Sequence, residues 1–94
     1  MDDIFDVYLT SNAIKNLKKV PLHISLKLQS WIDAVGHKGL NEVRKIPGYH
    51  DEPLKGKRKN QRSIRLNIAY RAIYIIHQDT IRFVEIQEVH KHEY

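Results

Sequence analysis

The hydrophobic period changes partway along this chain, and that change limits what the chain can build. Leu22, Leu26, Trp31, Ile32 and Val35, with Ile24 and Leu28 between them, recur at helical spacing. Pro21 suits the first turn of that helix, and Gly36 suits its end. Ahead of it, Thr10, Ser11 and Asn12 offer N-cap oxygens for a shorter helix over Ala13–Lys19, with Ala13, Ile14 and Leu17 on its apolar side. Further on the period becomes two. Ser63, Ile64, Arg65, Leu66 and Asn67 alternate, Tyr70–His77 is dense in Tyr and Ile, and Ile81–Val89 follows after a tight connection at Gln78-Asp79. Ile4–Leu9 alternates weakly and reads as a first strand. Leu40–Lys45 suits one short turn, and Pro47-Gly48 opens a loop that runs to about Asn60. The order is β-α-α-β-β-β. We expect an α+β fold: a small antiparallel sheet with the two N-terminal helices packed on one face and the other face open and concave.

The 94 residues suffice for one compact domain, residues 1–94, without repeats or linkers. Cysteine is absent, which excludes a disulfide framework, a thiolate nucleophile and a cysteine-based zinc site. No run is apolar enough to span a bilayer, and the acidic start (Met1, Asp2, Asp3) lacks the pattern of a secretory signal. The expected location is the cytoplasm.

The net charge of +5 is unevenly spread. Residues 1–54 carry seven Lys/Arg and seven Asp/Glu, whereas residues 55–94 carry nine against four. Lys55, Lys57, Arg58, Lys59, Arg62, Arg65 and Arg71 follow one another with no acid between. Such a block is either a solvated loop or a surface for a polyanion, bound by release of phosphate counterions. A charge run by itself favours the first reading; the second gains because the block runs into predicted strands, where side chains are held in place. If Ile64 and Leu66 face the helices, Ser63, Arg65 and Asn67 face out, and Arg71 on the next strand comes close to Arg65. Two guanidiniums on an open sheet face would clamp a phosphate; equally, each would pair with a local acid such as Glu85 or Glu88. The end of the chain, Val89-His90-Lys91-His92-Glu93-Tyr94, adds two histidines able to move protons near neutral pH. They also have the i,i+2 spacing of a chelate, but no third or fourth ligand is at hand; a solvated tail is the remaining reading. Glu52, beside Asp51 and ahead of Lys55, is either a proton acceptor or a charge balance.

Four segments in this order resemble one family. Glu52-Pro53-Leu54-Lys55-Gly56, Arg62-Ser63-Ile64-Arg65-Leu66, Tyr70-Arg71-Ala72-Ile73-Tyr74 and a terminal His-x-Tyr are similar to the RelE/YoeB/HigB toxins of bacterial type II toxin–antitoxin systems, within the RelE/ParE superfamily. The resemblance covers about Pro47 to Tyr94, and the first half shares only the helix pattern. It implies a microbial RNase fold and metal-independent cleavage of mRNA, usually in the ribosomal A site, with contacts to 16S ribosomal RNA through the basic face. No cofactor is implied. In this chemistry the 2′-hydroxyl attacks the adjacent phosphate and leaves a 2′,3′-cyclic phosphate and a free 5′-hydroxyl. A base, cations for the transition state and an acid are required.

Carried over, Glu52 is the base, Arg71 and Arg65 stabilise the phosphate, and His92 and Tyr94 are the acid and a stacking or relay group. Lys55 contacts RNA, and Lys57, Arg58, Lys59, Arg62, His90 and Lys91 extend the basic surface. Glu93 separates His92 from Tyr94, which YoeB-like chains have adjacent, so His90 is an alternative to His92. Ser63 stands where RelE carries a second strand lysine, which makes Glu/His acid–base chemistry the better fit. The implied partner is a cognate antitoxin with an acidic or amphipathic segment that folds on binding; operator DNA would be reached only through it. The alternative within the same fold is a ParE-like inhibitor of DNA gyrase, which is not an enzyme.

Overall fold

The computed structural model describes residues 3–58, 60–78 and 82–91, with the backbone alone for 82–84. Its elements are β1 (Val7–Leu9), α1 (Ser11–Leu17), α2 (Leu22–Lys38), α3 (Leu40–Val43), β2 (Glu52–Pro53), β3 (Gln61–Arg65), β4 (Tyr70–Gln78) and β5 (Arg82–Lys91), with single 3₁₀ turns at Pro47–Tyr49 and Gly56–Arg58. The sheet order is β1-β5-β4-β3-β2. The fold is α+β, as the sequence led us to expect. The sheet is mixed rather than wholly antiparallel, because β1 runs parallel to β5. Three helices separate β1 from the later strands, and a long crossover is what a parallel edge requires. The connection between β4 and β5, including Asp79 and Ile81, lies outside the described residues.

Thr10 caps α1 by accepting the Ala13 N–H at 3.1 Å, so the helix starts at Ser11, two residues ahead of the expected Ala13. In α2 the buried stripe is Ile24, Leu28, Trp31 and Val35. Leu22 and Leu26, expected on that side, are 73% and 57% exposed. Gly36 does not end the helix either. It continues to Lys38 and stops at Gly39, whose φ of 88° suits a residue without a Cβ. Leu40 then donates to the Ile4 carbonyl at 2.8 Å, tying α3 to the start of the chain.

The helix stripe packs with Ile64, Ala72, Tyr74, Ile86 and Val89 from the sheet and with Leu66 just past β3. Trp31 meets Tyr74 with ring centroids 5.2 Å apart and planes tilted by 45°, a favourable aromatic arrangement. β3 sits two residues earlier than alternation suggested. Asn67 is not on the strand but makes the turn, its Oδ1 accepting the N–H groups of Ala69 at 2.7 Å and Tyr70 at 2.8 Å. No helix among the described residues is long and apolar enough to cross a membrane.

Candidate active site

Register places two rows of side chains on the sheet face turned away from the helices. Arg65 pairs with Arg71 across β3 and β4, and Arg71 pairs with His90 across β4 and β5. This is a row of three basic residues from three strands. The row beside it runs Glu52, Ser63, Ile73 and Glu88 through the corresponding pairs. Residues directly opposite on antiparallel strands share a face, so each row is contiguous. Glu52, Leu54, Arg58, Ser63, Arg71, Ile73 and His90 line a cleft of about 370 Å³, within the range of roughly 300–1,000 Å³ usual for small-ligand sites.

Glu52 owes its direction to its neighbour. Asp51 has a fully buried side chain, bonded by Arg62 Nε at 2.7 Å and the Tyr74 hydroxyl at 2.5 Å. With Asp51 fixed on the helix side, strand alternation turns Glu52 to the cleft. Its Oε1 lies 4.0 Å from Arg71 Nη1, and its Oε2 lies 3.3 Å from His50 Nε2. His50 has φ 46° and is the one non-glycine with positive φ among the described residues. Tyr49 and Asp51, both buried, flank it in sequence and hold the chain there.

Arg71 is the most enclosed cation of the cleft. Its side chain is 15% exposed, and Nη1 also donates to Ser63 Oγ at 3.3 Å. Ser63, expected to face out, does lie on this face but is buried beneath Arg71. Arg65 is half-buried and has no ion-pair partner among the described residues. Arg58 bonds Gln61 Oε1 at 2.6 Å and Glu88 Oε1 at 3.1 Å. Glu85 pairs with His77 at 3.1 Å. So Glu88 and Glu85 contact Arg58 and His77 rather than the Arg65–Arg71 pair, and the carboxylate facing Arg71 is Glu52.

His90 donates through Nδ1 to the Lys91 carbonyl at 3.2 Å in the tautomer that contact requires. Its Nε2 is shielded from solvent without a hydrogen-bond partner among the described residues, the Glu88 carboxylate being 3.7 Å away.

Of the sequence candidates, the cleft unites Glu52, Arg58, Arg71 and His90, with Arg65 next to Arg71 in the same row. Lys55 and Lys57 are exposed beside it, whereas Lys91, a correction, pairs with Tyr70 and so alternates away from the face that His90 occupies. Arg62 is a second correction. It alternates to the other face and is tied to Asp51, whose hydrogen bond and charge outweigh burial and raise its pKa above the ordinary arginine value. Lys59, His92 and Tyr94 lie outside the described residues. Sequence reasoning passed over Asp51, His50 and Glu88 as parts of the site. All three depend on pairing and burial that the sequence does not display. A larger cleft of about 690 Å³, lined by Asp3, Asn41, Glu42, Arg44, Lys45 and Arg62, has no histidine and no member of the two rows among its described lining residues.

The fold has counterparts among solved structures. The YoeB/ParE toxin from Agrobacterium tumefaciens aligns with a TM-score of 0.68 at 16% identity, over 94% of this chain and 99% of that one. A chain of the Escherichia coli DinJ–YafQ toxin–antitoxin complex gives 0.70 at 19% identity, over 93% and 91%. The YoeB dimer from Staphylococcus aureus gives 0.63 at 15% identity, over 99% and 100%. No protein-family model matches the chain, and no curated protein does. The shared property at these identities is the fold, and it is the fold of the RelE/YoeB-type toxins. The microbial RNase fold that the four sequence segments led us to expect is therefore the fold observed.

Proposed function

We propose that this protein is the toxin of a type II toxin–antitoxin pair and that it cleaves mRNA in the ribosomal A site by attack of a 2′-hydroxyl on the adjacent phosphate. The observation that carries the reading is the row Arg65–Arg71–His90 beside Glu52. Like charges directly opposite on a sheet repel, so Arg65 and Arg71 together suit a bound anion. A phosphodiester supplies it, and its negative charge grows in the transition state, which fixed guanidiniums stabilise best. Glu52 takes the 2′-hydroxyl proton. His90 gives a proton to the departing 5′-oxygen, a part for which His92 is the other candidate, with Tyr94 stacking on a base. Lys55, Lys57 and Arg58 guide the RNA strand and ribosomal RNA. The antitoxin covers the same face with an acidic or amphipathic segment that orders on binding, as the DinJ–YafQ complex pairs a toxin of this fold with an antitoxin.

The test is tightly controlled expression followed by mapping of mRNA 5′ ends on translated and untranslated copies of one transcript. Codon-phased cuts confined to the translated copy are expected. Intact mRNA with DNA-damage signalling would overturn the reading in favour of a gyrase inhibitor of ParE type.

A further inference from the structure

β5 carries one residue more than β4 can pair. Ile73 faces Glu88 and Tyr74 faces Ile86, which leaves Gln87 as a bulge. The consequence is one of parity. In an unbroken strand Ile86, Glu88 and His90 would share a face. With Gln87 interposed, Ile86 and Val89 both enter the core, and Glu88 and His90 turn to the cleft. His90 reaches the site only because the bulge is there.

The bulge is held from outside the sheet, by α1 and its cap. The Gln87 carbonyl accepts from Thr10 Oγ1 at 2.9 Å and from Asn12 Nδ2 at 3.2 Å. The Thr10 N–H donates to the Ile86 carbonyl at 3.0 Å, and the Val89 N–H donates to Asn16 Oδ1 at 3.0 Å. β1 ends at Leu9, opposite Ile86, so the next residues of β5 have no strand on that side. Side chains of α1 take its place and satisfy backbone groups that a covered edge would leave unpaired. Val89 immediately precedes His90, whose shielded Nε2 has no hydrogen-bond partner among the described residues.

We infer that Asn16, assisted by Thr10 and Asn12, is a positioning residue that aims His90 into the cleft by fixing the Gln87 bulge. The catalytic consequence rests on the RNA-cleavage reading above; the placement of His90 does not. Asn16→Ala removes the acceptor of the Val89 N–H, and Asn16→Asp keeps it. Asn12→Ala is a milder variant on the exposed side. Each is studied as the full chain by hydrogen exchange, by ¹⁵N signals of the His90 ring, and by cleavage of ribosome-bound mRNA. In Asn16→Ala the Val89 amide should exchange faster and the His90 ring signals should move. kcat should fall roughly tenfold to a hundredfold, as for a catalytic group misplaced by about an ångström, with KM little changed. Asn16→Asp should restore all three readouts, and Asn12→Ala should shift them the same way by less. Unmoved His90 signals and unchanged kcat in folded Asn16→Ala would overturn the inference, as would an Asn16→Asp that falls equally far. If Asn16→Ala does not fold, unmoved His90 signals in Asn12→Ala overturn it. If the wild-type protein cleaves nothing, the functional reading fails, while the amide and ring signals still decide whether α1 places His90.

Discussion

Asp51 and Glu52 are adjacent carboxylates with opposite environments, and strand parity assigns them different work. Asp51 is a buried anchor between Arg62 and Tyr74; Glu52 is half-exposed and faces Arg71. Glu52→Gln should therefore lower cleavage about 10²- to 10⁴-fold, as loss of a general base does, and leave the unfolding midpoint in urea nearly unchanged. Asp51→Asn should do the reverse first. It leaves Arg62 without its counter-charge and should cost about 3 kcal/mol in the same measurement. Burial, and then the Asp51 charge, raise the Tyr74 phenol far above its ordinary value. Since the unfolded phenol ionises near pH 10, its contribution to stability is complete below about pH 10 and is lost as pH rises further. Urea titrations from about pH 8 to about pH 11 should show that loss, and Tyr74→Phe should flatten it.

At the scale of elements, the amphipathic period announced α2 but not which side it buries. Leu22/Leu26 and Ile24/Leu28 are both i,i+4 pairs, and only Trp31 and Val35, continuing the second pair, show the buried stripe. Trp31→Ala should cost about 3–5 kcal/mol, a large part of the roughly 5–15 kcal/mol that holds a small domain together. Leu22→Ser and Leu26→Ser should each change stability by no more than about 0.5 kcal/mol, despite their greater loss of hydrophobicity on paper. Thermal unfolding of the three variants checks this contrast. The strands bearing Arg65 and Arg71 were legible because alternation and a density of Tyr and Ile are local properties. β2 was not, since two residues carry no period, and it is β2 that delivers Glu52 to the cleft. The Gln87 bulge was hidden for a different reason. It exists only relative to β4, so no reading of β5 alone reveals that Val89 points inward and His90 outward.

The whole molecule carries its excess charge in one half, yet the open face is not uniformly basic. Glu52, Glu85 and Glu88 lie on it, two of them paired with Arg58 and His77. The charge therefore divides by role: Arg65 and Arg71 with His90 in the cleft, and Lys55 and Lys57 exposed around it. Replacing Lys55 and Lys57 together by Ala should weaken RNA binding and reduce the slope of log K against log salt by about 1.4–1.8, without changing the rate of bond cleavage once RNA is bound. Binding isotherms across a salt series measure the first, and single-turnover kinetics the second.

Attack of a 2′-hydroxyl on the adjacent phosphate, with Glu52 as base, Arg71 on the phosphate and His90 as acid, is tested most directly by replacing that hydroxyl. Ribosomes carrying mRNA with a single 2′-deoxy nucleotide at the cleaved position are compared with the all-ribose control. Cleavage of the control to a 2′,3′-cyclic phosphate, no cleavage of the deoxy mRNA, and equal binding of both are expected. Cleavage of the deoxy mRNA at the same position, or a control that stays intact while the protein arrests growth, would contradict this chemistry.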